Sequence, residues 1–571
     1  MKFLGLIFVL GAWLNPCFSL DREAFTFTRY DLEVRVEPQQ QRLGVRGKIT
    51  LRNDSPTSQK NLVLQISSTL EWRSIQVGGK PVQFVTQPYL SDIDHTGSVS
   101  EAIVNLPTEV PPQAKVEVEI GYEGTVPLDV TRLKRIGVPE DAARHTDWDQ
   151  ISASSSAVRG IGYVAWYPVA TDSADLTDPD SLFAIIGNWI ERELSADFRV
   201  NFCVLASRQS MQTAVLNDPP PAGVPPGVGG QIGSDGATLC QEHEYSPLGR
   251  TAPAFAVAPY TILSRDTIDV YQLGGHSSGA EDYALAAELA APFVESWFGK
   301  QRQKARTVDV VDPQAAPYES GSLLFTPLVS RDVRLAQLTA VHQLTHASFP
   351  SPRAWIYEGL AHFAQAAFRE QQSGRQAALD YMGLHRTAVA DVEKTLPAAN
   401  QAANSLINTS VPELYRSKAM YVWWMLRDMV GEATLKKVVL GYRAEDDRSP
   451  SYVQRLLEKE SRKDLEWFFD DWVYRDRGLP DFRVASVIPR ATLNGASVLT
   501  ITIENLGGAG AEVTVIVRMQ NGEVTQRVVV PARGKASLRI EAVTPAQEVV
   551  VNDGSVPETD LSNNVFKIEE H

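Results

Sequence analysis

Cysteine is scarce in this chain. Three occur in 571 residues, Cys17, Cys203 and Cys240, and no two are spaced as C-x-x-C, so there is no zinc-thiolate signal. Basic residues are also in deficit: 54 lysines and arginines stand against 69 aspartates and glutamates, a net charge of −15. Phosphate backbones are bound by clustered cations, so the balance argues against nucleic acid as the main partner. Long apolar runs are missing after the first twenty residues, and no transmembrane segment is expected. The remaining composition, 43% apolar and 22% charged, is ordinary for a folded soluble protein, and the length suits three or four domains.

The chain begins MKFLGLIFVLGAWLNPCFSLDRE. Lys2 supplies a positive start, Phe3 to Leu14 an apolar core, and Cys17-Phe18-Ser19 a small-x-small cleavage site. We expect a signal peptide, residues 1–19, cut near Ser19, and a secreted or periplasmic protein. The apolar run is short for a membrane span. Lipidation at Cys17 is disfavoured by Asn15 and Pro16 just before it. Cys203 and Cys240, 37 apart across a Pro/Gly-rich stretch, then sit in an oxidising compartment, where a disulfide and a pair of buried thiols both fit.

Residues 25–130 alternate in the strand manner, as in YDLEVRVEP from Tyr30 and LGVRGKITLRN from Leu43, and predict an antiparallel β domain. Asn217 to Ala237, NDPPPAGVPPGVGGQIGSDGA, reads as a long exposed loop. At Ser278 the period changes. Gly279 to Gly299 predicts a helix with Leu285, Leu289, Phe293 and Trp297 near one face, kinked or interrupted at Pro292. A helix from about Ser330 to Ala347 follows, with Ser330 as cap and Asp332 in its first turn. From Trp355 to about Glu466 the chain reads as almost wholly helical. From Asp481 short alternating runs return, as in a β-sandwich. The expected organisation is a signal peptide at 1–19, an N-terminal β domain at 20–272, an α-rich domain at 273–478 and an Ig-like sandwich at 479–571. The tail stretch DGSVPETDLSNN, from Asp553, is rich in oxygen ligands, but its spacing is not that of an EF-hand and an Asx-rich turn suits it better.

The chemistry concentrates in LTAVHQLTHASFPSPRAWIYEGLAHF, Leu338 to Phe363. His342 and His346 are four apart and share a helix face. After eleven intervening residues Glu358 opens a second helical run and can return as a third ligand. Two imidazoles and a carboxylate suit one Zn2+ ion, with a fourth position left for water. His362, four beyond Glu358, is a further candidate ligand or supporting group, although a satisfied structural histidine is the simpler reading.

These residues resemble the gluzincin zinc aminopeptidases of the alanyl aminopeptidase type, whose site phrase is HELTH…W-x-x-EG-x-A. The resemblance implies a multidomain α+β fold: an N-terminal β saddle-like domain, a thermolysin-like and mostly helical catalytic-type domain, and a C-terminal β-sandwich. The spacing from His346 to Glu358 is shorter than usual in the family and implies a shortened connection. Trp166 to Pro168 (WYP) and DLEWFFDDWVYR, from Asp464, resemble family landmarks. Ala316-Pro317-Tyr318-Glu319-Ser320 stands where the family has its GAMEN motif. By that resemblance Glu319 holds a substrate's free α-amine, Tyr415 steadies the oxyanion, and the ligands of the metal are His342, His346 and Glu358. The implied partners are peptides or protein N-termini, as substrate or ligand. On its own residues Glu319 is otherwise a loop carboxylate at a strand start, and Tyr415 one more aromatic on an apolar helix face.

One letter departs. The family carries its general-base glutamate directly after the first histidine, and this chain has Gln343. A glutamine amide takes up no proton at physiological pH, although it still hydrogen-bonds. Three readings follow: a pseudoenzyme that keeps its grip on zinc, a working metallopeptidase (a hydrolase) that uses a substitute base, and an extracellular interaction protein that holds no metal at all.

Overall fold

Alternation in Phe25–Glu37 buries Tyr30, Leu32, Val34 and Val36 on one face and leaves Asp31 and Arg35 exposed on the other. The computed structural model describes residues 20–206, 213–217, 232–233, 236–301, 303–329, 332–396, 404–409, 411–491 and 497–568. The expected signal peptide, most of the Pro/Gly-rich stretch and Ser330 lie outside the described residues.

Phe25–Glu37 lies within an eight-stranded sheet. It pairs antiparallel with Arg42–Asn53 but parallel with Asp197–Ala206. The expectation of a purely antiparallel N-terminal domain is therefore corrected. Period-two alternation fixes which face of a strand is buried and carries no information about the direction of a neighbour that returns 160 residues later. Asp197–Ala206 also pairs with Gly236–Tyr245, which sets Cys203 directly opposite Cys240, and the two form a disulfide. Trp166 is a core residue: its indole N–H donates to the Pro253 carbonyl at 2.9 Å, and its own carbonyl accepts from the Tyr122 hydroxyl at 2.9 Å.

A five-stranded mixed sheet forms the floor of the candidate site. Its order is Thr261–Ser264, Ile268–Gln272, Ala305–Asp309, Leu323–Thr326, Tyr318–Ser320, so it draws strands from both sides of residue 272. The edge strand Tyr318–Ser320 folds back on Leu323–Thr326 through Gly321, whose φ of +59° is left-handed and favours glycine. That hairpin holds Glu319 at the sheet edge.

The helix Ser277–Phe298 runs unbroken through Pro292. The proline is on the exposed face, where water can reach the carbonyl it leaves without an N–H partner. Phe293 and Trp297 are buried as expected, but Leu285 is 48% and Leu289 61% exposed. Four-residue steps overshoot a 3.6-residue turn by about 40° each, so a stripe spaced only at i+4 drifts off the core face. Ala280, Tyr283, Ala284 and Ala287 are the residues on the buried face at that end.

Seven C-terminal strands form two antiparallel sheets, of three and four strands. Their inner faces share one apolar core with the helices. The Trp472 indole donates to the Gly510 carbonyl at 2.7 Å, and Arg375 bridges Asp428 and Asp553 at 2.7 and 3.2 Å. Within the oxygen-rich tail stretch, Asp553 is thus spent on an ion pair, and the Glu558 carboxylate accepts the Phe482 N–H at 3.0 Å. No metal-competent cluster occurs there among the described residues.

Glu193, at the end of the helix Pro179–Glu193, is almost fully buried, and accepts the Phe27 N–H at 3.1 Å through one oxygen while the other has no partner. Burial pushes its carboxyl up to about 8. The folded pKa lies above the unfolded one, so the folded chain keeps a proton that the unfolded chain releases. Stability falls by about 1.4 kcal/mol per pH unit through that window, from about 4.5 to about 8. Glu193→Gln should remove this component: urea midpoints measured from pH 5 to pH 9 should decline less steeply in the variant and cross above the parent at alkaline pH. An unchanged slope would contradict the assignment.

Candidate metal centre

Asp332 starts the first site helix, Val333–Ser348, by accepting the Arg334 N–H on its side chain at 2.7 Å. It is therefore the N-cap itself and not a first-turn residue. Ala336, Ala340, Val341 and Leu344 bury one face of this helix against the core, which leaves His342 and His346, one turn apart, on the side facing the next helix. Five residues, 349–353, connect to that helix, Ala354–Ser373. The connection is fixed by Arg353, whose guanidinium reaches Asp447 at 2.8 Å.

Trp355 and Ile356 anchor the start of the second helix, with Trp355 stacked on Trp423 at 5.2 Å between ring centroids. Glu358 follows one turn after Trp355. Gly359 explains the Glu-Gly phrase: a Cβ there would meet the Ala419 Cβ at 2.7 Å and the Trp423 ring at 3.1 Å. Glycine lets this helix press against Ala419–Val430 and so sets the depth to which Glu358 enters the site.

The histidine Nε2 atoms are 3.1 Å apart. The Glu358 carboxylate lies 3.9 Å from Nε2 of His342 and 3.7 Å from that of His346. Zinc bonds of about 2.0–2.2 Å place neighbouring ligands about 3.3–3.5 Å apart around a tetrahedron; Glu358 presents Oε2 to His342 and Oε1 to His346, so one ion meets this carboxylate edge-on or after a turn of its side chain. Protonation agrees. Burial, with His346 alongside, pushes the His342 imidazole down to about 3, and burial, with His362 next, holds that of His346 well below the usual range. Both rings are neutral and can offer a lone pair. The Nδ1 of His346 is buried without a hydrogen-bond partner, and so lacks the outer contact that usually fixes the tautomer of a metal-bound imidazole.

The other expected site residues converge here too. The ligand atoms of Glu319, His342 and His346 lie within 4.8 Å of one another, as do those of His342, Glu358 and His362. His362 packs its ring against those of His342 and His385, and its buried Nδ1 has no partner, so it is not the satisfied histidine that was the simpler expectation. Tyr415 is buried on the π-helical turn Glu413–Lys418, its hydroxyl pushed up to about 12, mainly by burial. Arg416 on the same turn reaches Glu358 at 3.2 Å. Sequence reasoning passed over this arginine, although it directly follows Tyr415.

Gln343 is fully buried. Its carbonyl accepts the Tyr283 hydroxyl at 2.6 Å, and its amide nitrogen donates to the Glu319 carboxylate at 3.0 Å and to the Phe325 carbonyl at 3.3 Å. Tyr283 and Phe325 gave no signal in the sequence as partners of this site.

No family model matches the chain, and no curated protein matches it. Solved structures do. The M1 zinc metallopeptidase from Deinococcus radiodurans aligns at 15% identity and a TM-score of 0.50, covering 77% of this chain and 91% of its own. A mutant of that metallopeptidase aligns at 16% identity and a TM-score of 0.51, over 81% and 97%. A two-domain mutant bound to L-arginine aligns at 15% identity and 0.50, over 76% and 91%. The chain has a metallopeptidase-like fold. At such identities the likeness stops at the fold, and the chemistry has to be argued from the residues present.

Those residues favour glutamine at 343 on local grounds. A glutamate there would set a carboxylate against the Glu319 carboxylate and the Phe325 carbonyl, three acceptors without a donor between them. Gln343→Glu should therefore lower the unfolding free energy by about 1–3 kcal/mol, read as a lower urea midpoint at pH 8. The double variant Glu319→Gln with Gln343→Glu restores a donor and should recover most of the loss. An unchanged midpoint in the single variant, or no recovery in the double, would contradict this account.

Proposed function

We propose that this is an exported, zinc-binding, aminopeptidase-like protein that engages peptides or protein N-termini with little or no hydrolysis. The engagement of Gln343 carries the reading. Three of its four hydrogen-bonding directions are taken by Tyr283, Glu319 and Phe325, and an amide so held takes up no proton. His342, His346 and Glu358 supply the donor set that fits zinc. A zinc ion bound there supplies Lewis acidity toward a carbonyl oxygen. Loss of the general acid–base group typically costs about 10² to 10⁴ in rate, which leaves binding as the property that survives.

A second reading, a working peptidase with a substitute base, has one observation in its favour. Glu319 is a half-buried carboxylate beside the trio, and desolvation together with Glu358 pushes it up to about 7, where a general base operates.

Elemental analysis and hydrolysis of aminoacyl arylamides separate these readings. The purified chain should carry one zinc per molecule and His346→Ala far less. Their hydrolysis rates should match within a few-fold. A parent rate about 10² or more above that of the variant would establish the working-peptidase reading. Absence of zinc from the parent would establish the metal-free one.

A further inference from the structure

We infer that Glu319 is a fourth protein ligand to the same ion, which makes the centre a closed cage of two histidines and two glutamates. This rests on the zinc reading above and goes beyond it, because it removes the position left for water and gives Glu319 a task other than holding a substrate's amine.

Three observations on different elements support it. The ligand atoms of Glu319, His342 and His346 lie within 4.8 Å of one another, so the edge strand delivers its carboxylate to the place the histidines face. One Glu319 oxygen is fixed by the Gln343 amide at 3.0 Å, which orients the carboxylate and leaves the other oxygen to coordinate. Among the described residues no lysine or arginine forms an ion pair with Glu319, and the nearby guanidinium of Arg416 is paired with Glu358 at 3.2 Å. The Glu319 and Glu358 carboxylates thus both lie beside the two imidazoles. A divalent cation held among these groups relieves the repulsion between the two carboxylates. Closed sites with four protein ligands are the structural form of zinc, and open ones with three are the catalytic form.

Gln343 then has a positive role. Its amide donates to a ligand carboxylate, as groups behind metal ligands commonly do, and a glutamate there would compete with the ligand it now supports. On this view the glutamine and the fourth ligand belong together.

Cobalt(II)-loaded protein and its visible absorption test the proposal without any assay of activity. Titrating the parent with azide should leave the cobalt bands unmoved, because no position is open. Glu319→Ala should bind cobalt at least about 100-fold more weakly, and its bands should shift with azide. Azide-dependent bands in the parent would overturn the proposal, as would a Glu319→Ala variant that keeps the parent's affinity within about twofold. If that variant fails to fold, the parent titration alone decides. A parent that takes up no cobalt would overturn the zinc reading itself, an outcome distinct from an open but loaded site.

Discussion

The organisation of the centre depends on one buried amide. Gln343 ties together four elements: its own helix, the helix of Tyr283, the edge strand of Glu319 and the strand of Phe325. Each contact is a hydrogen bond made away from water, where an unmet donor or acceptor costs about 1–3 kcal/mol. The amide suits this junction because it carries both a donor end and an acceptor end. A carboxylate offers acceptors only. The same residue thus stabilises the junction and sets beside the histidines an amide, which takes up no proton.

Around that junction the scaffold works by depth and angle. Gly359 admits the glutamate-bearing helix against Ala419 and Trp423, and the stacking of Trp355 on Trp423 fixes its start. The five-residue connection from the histidine helix leaves little freedom in how Glu358 faces His342 and His346. Gly321 turns the edge strand back so that Glu319 approaches from the sheet side. The π-helical turn Glu413–Lys418 carries Tyr415 and sets the Arg416 guanidinium against Glu358 at 3.2 Å.

Much of this was legible in the chain because it is local. The i,i+4 spacing of His342 and His346 puts them on one helix face wherever the helix lies, and Trp355 with Glu358 marks the opening of the next helix. Alternation in Phe25–Glu37 told which face is buried. What stayed hidden depends on contacts between distant segments. Nothing near Gln343 announces Tyr283, sixty positions earlier. Nothing in Asp197–Ala206 says that it runs parallel to the first long strand. Leu285 and Leu289 misled because their hydrophobicity suggested a core face that alanines and Tyr283 occupy instead. Glu319 was found by resemblance alone, and its proximity to the histidines became visible only once the hairpin at Gly321 was in view.

The central claim is that His342, His346 and Glu358 hold a metal ion. Anomalous diffraction from zinc-soaked crystals, collected on both sides of the zinc absorption edge, addresses it most directly. The account predicts one strong anomalous peak within about 2.0–2.2 Å of the two Nε2 atoms and a Glu358 oxygen. No peak at that position, or a zinc ion held elsewhere in the chain, would contradict it.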